Sequence, residues 1–273
     1  IDRQLRDELM FKKARAIQQA GNPGQAVQQF EAYLKEFDPD WAGPAGSGPR
    51  HRLPAVEPPP AGEYIRQARH HLADALLDAN NHRRARWEAE DLLRMVDRKQ
   101  DVPGGLRSDL RWLLIESYRM PNPPADQLER GVQASRSFLD AHPADPRAVA
   151  AAFRIPQAYE NRGRTDQAID AYRAFIDGKG FRLPDGEAAT AKHAVLGRSP
   201  AAAREEWRKL ALYKIGQLQF NQHRYDAAIE TWSQYTHQFP NGAHWAPSQN
   251  GIVNAEFQKG VQAMAEKDYD AAR

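Results

Sequence analysis

Apolar residues recur along this chain at intervals of three and four, and the apolar faces come in pairs. Leu9, Met10, Ile17 and Ala20 share one helical face. Gly21-Asn22-Pro23-Gly24 then ends the run, by supplying left-handed geometry and removing an amide. Ala26, Phe30, Tyr33, Leu34 and Phe37 return as the buried stripe of a second amphipathic helix. Leu5 to Pro39 therefore reads as a helix-turn-helix hairpin of about 34 residues, the period of one class of solenoid.

The same grammar predicts four further hairpins. Leu72, Ala73 and Leu76 are answered across an Asn80-Asn81 turn by Ala85, Ala89, Leu92 and Leu93. Leu110, Leu113, Leu114 and Tyr118 precede a long turn, Met120-Pro121-Asn122-Pro123-Pro124, and then Gly131, Ser135 and Phe138. Asp145 and Pro146 suit the start of a helix carrying Phe153, Ile155 and Tyr159, with Ala168, Tyr172 and Phe175 returning after Gly163. Ser199-Pro200 opens a helix expected to run to Gln222, about 33 Å long. In each unit a small residue stands twelve positions before another: Ala14 and Ala26, Ala73 and Ala85, Gly216 and Ala228. In the fourth unit the place is held by Pro156, which predicts a bent or broken helix.

Two stretches interrupt the period. Residues 40–61, with Trp41-Ala42-Gly43-Pro44 and Pro58-Pro59-Pro60, and residues 178–199 lack helical patterning and read as loop insertions, with one short turn over 187–194. The glycines of the first carry no phosphate-loop ending. Gly260 to Ala272 repeats the twelve-residue spacing and Asp268-Tyr269-Asp270 matches Arg224-Tyr225-Asp226, which starts a sixth unit and leaves it half complete. The missing initiator Met and this half unit lead us to expect a piece of a longer protein. The predicted fold class is all-α, an α-solenoid of antiparallel helix pairs with two insertions.

The clearest copy runs Leu212-x-x-Ile215-Gly216, Tyr225-Asp226-Ala227-Ala228-Ile229, Trp232, Tyr235 and Pro240. Small residues at matched places, aromatics at plus four and plus seven and a closing proline resemble the tetratricopeptide repeat. That resemblance implies a right-handed superhelix of hairpins whose first helices line a concave, protein-binding face. Phe239-Pro240-Asn241-Gly242 through Asn254-Ala255-Glu256-Phe257 is similar to the helical N-terminal region of large bacterial alpha-2-macroglobulin-like proteins. This second resemblance implies an accessory domain outside the cytoplasm; no bait or thioester segment accompanies it.

Composition narrows the chemistry. A net charge of +2 over 273 residues gives no electrostatic reason for nucleic acid or an anionic membrane as the main partner. No apolar run approaches the roughly 18 residues of a membrane span. Zero cysteines exclude disulfides and thiolate sites. His70 and His71 are adjacent on a helix, about 100° apart, and do not make a metal pair. No cofactor is expected.

Glu116-Ser117-Tyr118 resembles the Glu-Ser-aromatic signature around the catalytic acid of soluble lytic transglycosylases, but that family's downstream Gly-x-Met-Gln is missing. The chain therefore reads as no enzyme. A common offset places Phe11, His70, Phe153, Tyr213 and Phe257 at equivalent first-helix positions, followed by Lys12, His71, Arg154, Lys214 and Gln258. An aromatic ladder beside a basic one suits an extended peptide or protein carrying acidic groups. The candidate binding residues are Phe11, Lys12, Arg15, His71, Phe153, Arg154, Tyr213, Lys214, Gln217 and Phe220. The bland alternative is that these aromatics only pack between helices and the chain is a structural spacer. The carboxylate clamp of chaperone-binding repeats is not formed, since its lysine place holds aromatics.

Overall fold

The computed structural model describes residues 2–41, 43, 62–98, 105–183 and 199–265. Among these residues the fold is all-α, with eleven α-helices, one short 3-10 turn and no strand. From α1 to α5 and from α7 to α11 the helices pack consecutively, as in an α-solenoid. The chain divides into two compact units, Ile1–Phe138 and Leu139–Arg273. The 187–194 turn, most of residues 40–61 and the repeat of Arg224-Tyr225-Asp226 at 268–270 lie outside the described residues.

The first unit holds α1 (Arg3–Gln19), α2 (Pro23–Phe37), α3 (Ile65–Asp78), α4 (His82–Asp97), α5 (Leu106–Ser117) and most of α6 (Leu128–Ala141). The turns fall where the chain needs left-handed backbone, at Gly21 (φ 75°) and Asn80 (φ 58°). From α1 to α5 each helix packs on the next, and α1 also touches α3 and α3 touches α5. The first helices of successive hairpins thus lie side by side on one face. Ala14, Ala26, Ala73 and Ala85 are all fully buried in one core with Phe30, Tyr33, Leu34, Leu72 and Leu92. Small side chains there let the helix backbones approach.

A charged cluster is buried between α2, α3 and α4. Arg69 is 1% exposed; its Nε donates to Asp38 at 2.5 Å and its Nη1 to Asp91 at 2.8 Å. Glu88 is equally buried and accepts from the Trp41 indole at 3.2 Å. Arg84 lies 2.5 Å from Glu31 and 3.6 Å from Glu88. Asp38 and Trp41 follow the end of α2, so this cluster fastens the start of the 40–61 insertion to the hairpin core.

The second unit holds α7 (Ala148–Asn161), α8 (Thr165–Ile176), α9 (Pro200–Asn221), α10 (Tyr225–Gln238) and α11 (Trp245–Ala265). Each packs on the next, and α7 touches α9 and α9 touches α11, which repeats the arrangement of the first unit. Ser199 caps α9 by accepting the Ala202 amide at 3.3 Å. Asp145 accepts the Arg147 amide at 2.9 Å, but α7 starts later than the sequence suggested, at Ala148.

Of the two outcomes expected at Pro156, a bent or a broken helix, the break does not occur: α7 runs through it from Ala148 to Asn161. Two features offset the lost hydrogen bond. The residue four back, where the proline ring crowds the helix, is the small Ala152, and ten of the helix's residues are buried, so packing holds both halves.

Trp232 is the keystone of this unit. Its indole donates to the Tyr213 carbonyl at 3.2 Å and lies between two glycines. A Cβ on Gly216 of α9 would sit 2.6 Å from Trp232 Cδ1, and one on Gly251 of α11 would sit 2.6 Å from Cζ3. Glycine is required at both places by the ring.

Candidate interaction surface

The first-helix face of the first unit includes α1 and α3. Phe11 is half-buried and stacks on Tyr64 at 4.7 Å with the rings 7° apart. One position on, Lys12 is exposed and pairs with Glu8 one turn earlier. Arg15 donates to Gln18 at 2.7 Å and to His71 Nδ1 at 3.1 Å, and Gln18 donates to Asp74 at 2.9 Å. Guanidinium only donates, so His71 Nδ1 must be the acceptor and its ring neutral with the proton on Nε2. Burial, then the charge of Arg15, then His70 push the His71 pKa down to about 3. This corrects the basic ladder: His71 is an uncharged acceptor, since a proton there would face the Arg15 charge in a poorly solvated place. His70 lies edge-on to it, with ring centres 5.1 Å apart.

In the second unit α7 and α9 supply the equivalent positions. Phe153 is 3% exposed, stacked on Trp207 at 5.0 Å (10°) and edge-on to Phe175 at 5.0 Å. It is a packing residue with no surface to offer a ligand, which removes it from the candidate set. Arg154, half-buried, sits beside it. Tyr213 stacks on His244 at 4.4 Å (4°) and its hydroxyl accepts from Gln217 at 2.9 Å. Lys214 donates to Glu160 at 2.8 Å, and the other Glu160 oxygen accepts the Tyr172 hydroxyl at 2.5 Å. Burial, and next the Lys214 charge, lower the His244 pKa. Phe220 leans edge-on against Tyr225 at 5.5 Å and packs near Trp232 at 5.9 Å. Phe257 differs from its counterparts, with 67% of its surface exposed beside Val253, Val261 and Met264 on α11.

One joint explains the aromatic ladder. In three hairpins the first-helix ring stacks nearly parallel on a ring of the next unit: Phe11 on Tyr64 and Tyr213 on His244, each just before the next first helix, and Phe153 on Trp207, two turns inside α9. Two of the joints share a second device. The Tyr33 hydroxyl accepts the Tyr64 amide at 3.2 Å, and the Tyr235 hydroxyl accepts the His244 amide at 3.2 Å. Each tyrosine faces a glycine two residues before that amide, Gly62 or Gly242, where a Cβ would come within 2.8 Å or 2.5 Å of the hydroxyl. Sequence reasoning named Phe11, Tyr213 and Phe153 but missed Tyr64 and His244. The signal for the first was present, since Tyr64 and Trp207 both stand nine positions before their unit's small residue.

Glu116-Ser117-Tyr118 ends α5. The Ser117 hydroxyl donates to the Leu114 carbonyl at 2.7 Å, the Ser117 carbonyl accepts from Arg86 at 2.8 Å, and the Arg86 guanidinium lies 3.7 Å over the Tyr118 ring. Ser117 and Tyr118 have structural work at this turn. No helix among the described residues is long and apolar enough to cross a membrane.

The family model of the tetratricopeptide repeat matches residues 150–177 and 210–242, which are α7–α8 and most of α9–α10 with the turn that follows. These stretches and the all-helical fold support a protein of tetratricopeptide type. Repeats of this type suggest a protein–protein interaction scaffold and are generally non-catalytic. No curated protein matches the chain.

Proposed function

We propose that the chain is a scaffold that holds an extended peptide or protein segment against the inner, first-helix face of its hairpins, without catalysing a reaction. The supporting observation is the repeated placement of exposed or half-exposed polar groups beside a rigid ring pair. Lys12 and Arg15 follow Phe11 on α1, and Lys214 and Gln217 follow Tyr213 on α9. Ring pairs fixed by their own packing lose little entropy on binding, and the neighbouring cations supply charge-assisted hydrogen bonds. Lys12 and Lys214 pair with Glu8 and Glu160, and a partner's carboxylates would take over these bonds. The likeness of residues 239–257 to a macroglobulin-like helical region supports, as a further proposal, a larger parent outside the cytoplasm.

A display library of random peptides, panned on the chain, tests this reading. Enrichment of extended acidic peptides is expected, with loss of capture in Lys12→Ala/Arg15→Ala and Lys214→Ala/Gln217→Ala variants of unchanged helicity. Enrichment that survives both pairs would overturn the assignment of this face. A second reading, a structural spacer, has its own observation: Phe153 and the three ring stacks serve packing, and the two lysines are paired internally. It predicts no enriched peptide at all.

A further inference from the structure

The joint between Trp41 and Glu88 takes no part in the proposed interaction surface, and its geometry is unusual. The indole is 5% exposed and the carboxylate 1% exposed. Oε2 of Glu88 accepts from the indole, but Oε1 has no hydrogen-bond partner. The nearest cation, Arg84 Nη2, stands 3.6 Å away and is also without a hydrogen bond, while Arg84 Nη1 lies against Glu31 of α2. Arg69 of α3 attracts the carboxylate from further off, with its charge already matched by Asp38 beyond α2 and by Asp91 of α4. Asp91 itself repels it. Glu88 is therefore a fully buried carboxylate with one neutral hydrogen bond and no bonded cation.

We propose that Glu88 is a proton-controlled latch on Trp41. With the carboxyl protonated the pair stays buried and the indole stays docked. When the proton leaves, the charged side chain is drawn toward water and the indole leaves its slot more often.

The size and pH window follow from linkage. Burial, opposed by the Trp41 bond and then the Arg84 and Arg69 charges, pushes the Glu88 carboxyl up from its ordinary value near 4.5 to about 7. A state with Trp41 undocked lets water reach the group and returns it toward the ordinary value. The docked state thus binds the proton more tightly. Its advantage is fully present below the ordinary value and is lost as the pH rises through about 7. Opening is then expected to increase roughly fiftyfold between pH 5 and pH 8, and little above that.

Indole hydrogen exchange in the full chain, followed by NMR, tests the latch. The Trp232 indole serves as internal reference, because its acceptor is the Tyr213 backbone carbonyl, which does not titrate. Dividing the Trp41 rate by the Trp232 rate removes the intrinsic pH dependence of exchange. The ratio is expected to rise severalfold to fiftyfold over that range in the wild-type chain and to stay flat in Glu88→Gln. A flat ratio in the wild type, or an equal rise in Glu88→Gln, would overturn the proposal. Should Glu88→Gln fail to fold, the carboxyl carbon of Glu88 is titrated in the wild-type chain instead. A midpoint near 7 supports the latch, and one below 5.5 overturns it.

Discussion

Gly216→Ala sets two opposed effects against each other on one residue. Inside a helix, alanine is favoured over glycine by about 1 kcal/mol, so on propensity alone the change stabilises α9. The packing argues the reverse. The added methyl would stand 2.6–2.7 Å from Cδ1 and Cε2 of Trp232, against an ordinary contact of about 3.5 Å or more. The indole cannot retreat, because Gly251 of α11 crowds its other side. Relief requires α9, α10 and α11 to part by most of an ångström, and overpacking of that kind costs about 1–3 kcal/mol. Taking the upper part of that range and subtracting the propensity gain leaves a net loss of about 2 kcal/mol. In a unit of this size the midpoint of thermal unfolding should fall by roughly 8 °C. Circular dichroism at 222 nm is the assay, with two companions that isolate the cause. Gly24→Ala in α2, with nothing within 4 Å of the added atom, should be neutral or stabilising. Gly216→Ala made in a Trp232→Leu background should cost little, since the rigid ring is gone. A stabilising Gly216→Ala, or an equal penalty with and without Trp232, would refute the keystone role of the indole.

Four further outcomes can be checked on the same footing. Tyr235→Phe removes the acceptor of the His244 amide and should cost about 1–2 kcal/mol in a urea titration. Tyr33→Phe should cost at least as much, because Asp7 also loses the hydroxyl it accepts from at 2.5 Å. Arg69→Met leaves Asp38 buried and uncompensated and should cost about 3–5 kcal/mol, with much of the loss recovered in Arg69→Met/Asp38→Asn. His71 has a pKa depressed from 6.5 to about 3, so its unfolded form takes up a proton first as the pH falls. Stability is whole above the ordinary value and is lost below it, by about 2 kcal/mol at pH 5. The difference between wild type and His71→Gln should show that slope; parallel pH curves would contradict the neutral-acceptor geometry.

The hairpins were legible because their signals are local. A helical stripe, a glycine or asparagine at the turn and a small residue at a fixed spacing need no knowledge of distant contacts, and the bounds of α2, α9 and α10 follow from them. A break at Pro156 was one of two local expectations and did not occur, because the cost of the proline is local while its compensation, the small Ala152 and a helix buried along most of its length, is tertiary. Gly131, an oddity in an alanine place, is explained only by the Met120 sulfur, which would stand 2.8 Å from a Cβ there. The ladder was legible as a register but not as a joint. Spacing aligned Phe11, Phe153 and Tyr213, yet their stacking partners follow connections of very different length, which no fixed offset captures. Nor does sequence state a charge: His71 sits in a row of cations but faces Arg15, and the contact decides its protonation.

The two tyrosine–glycine joints also bear on how such a chain tolerates extra sequence. From Phe239 to Gly242 the connection contains only Pro240 and Asn241, with the Gly242 amide bonded to the Phe239 carbonyl at 2.9 Å. From Phe37 to Gly62 it contains residues 38–61, yet the Gly62 amide still meets the Phe37 carbonyl at 3.2 Å. Closing a loop about twelve times longer costs roughly 2 kcal/mol more in chain entropy. The buried Asp38–Arg69 pair and the docked Trp41 stand where that deficit arises. The joint thus behaves as a graft point, at which a connection can lengthen without shifting the register of the helices on either side.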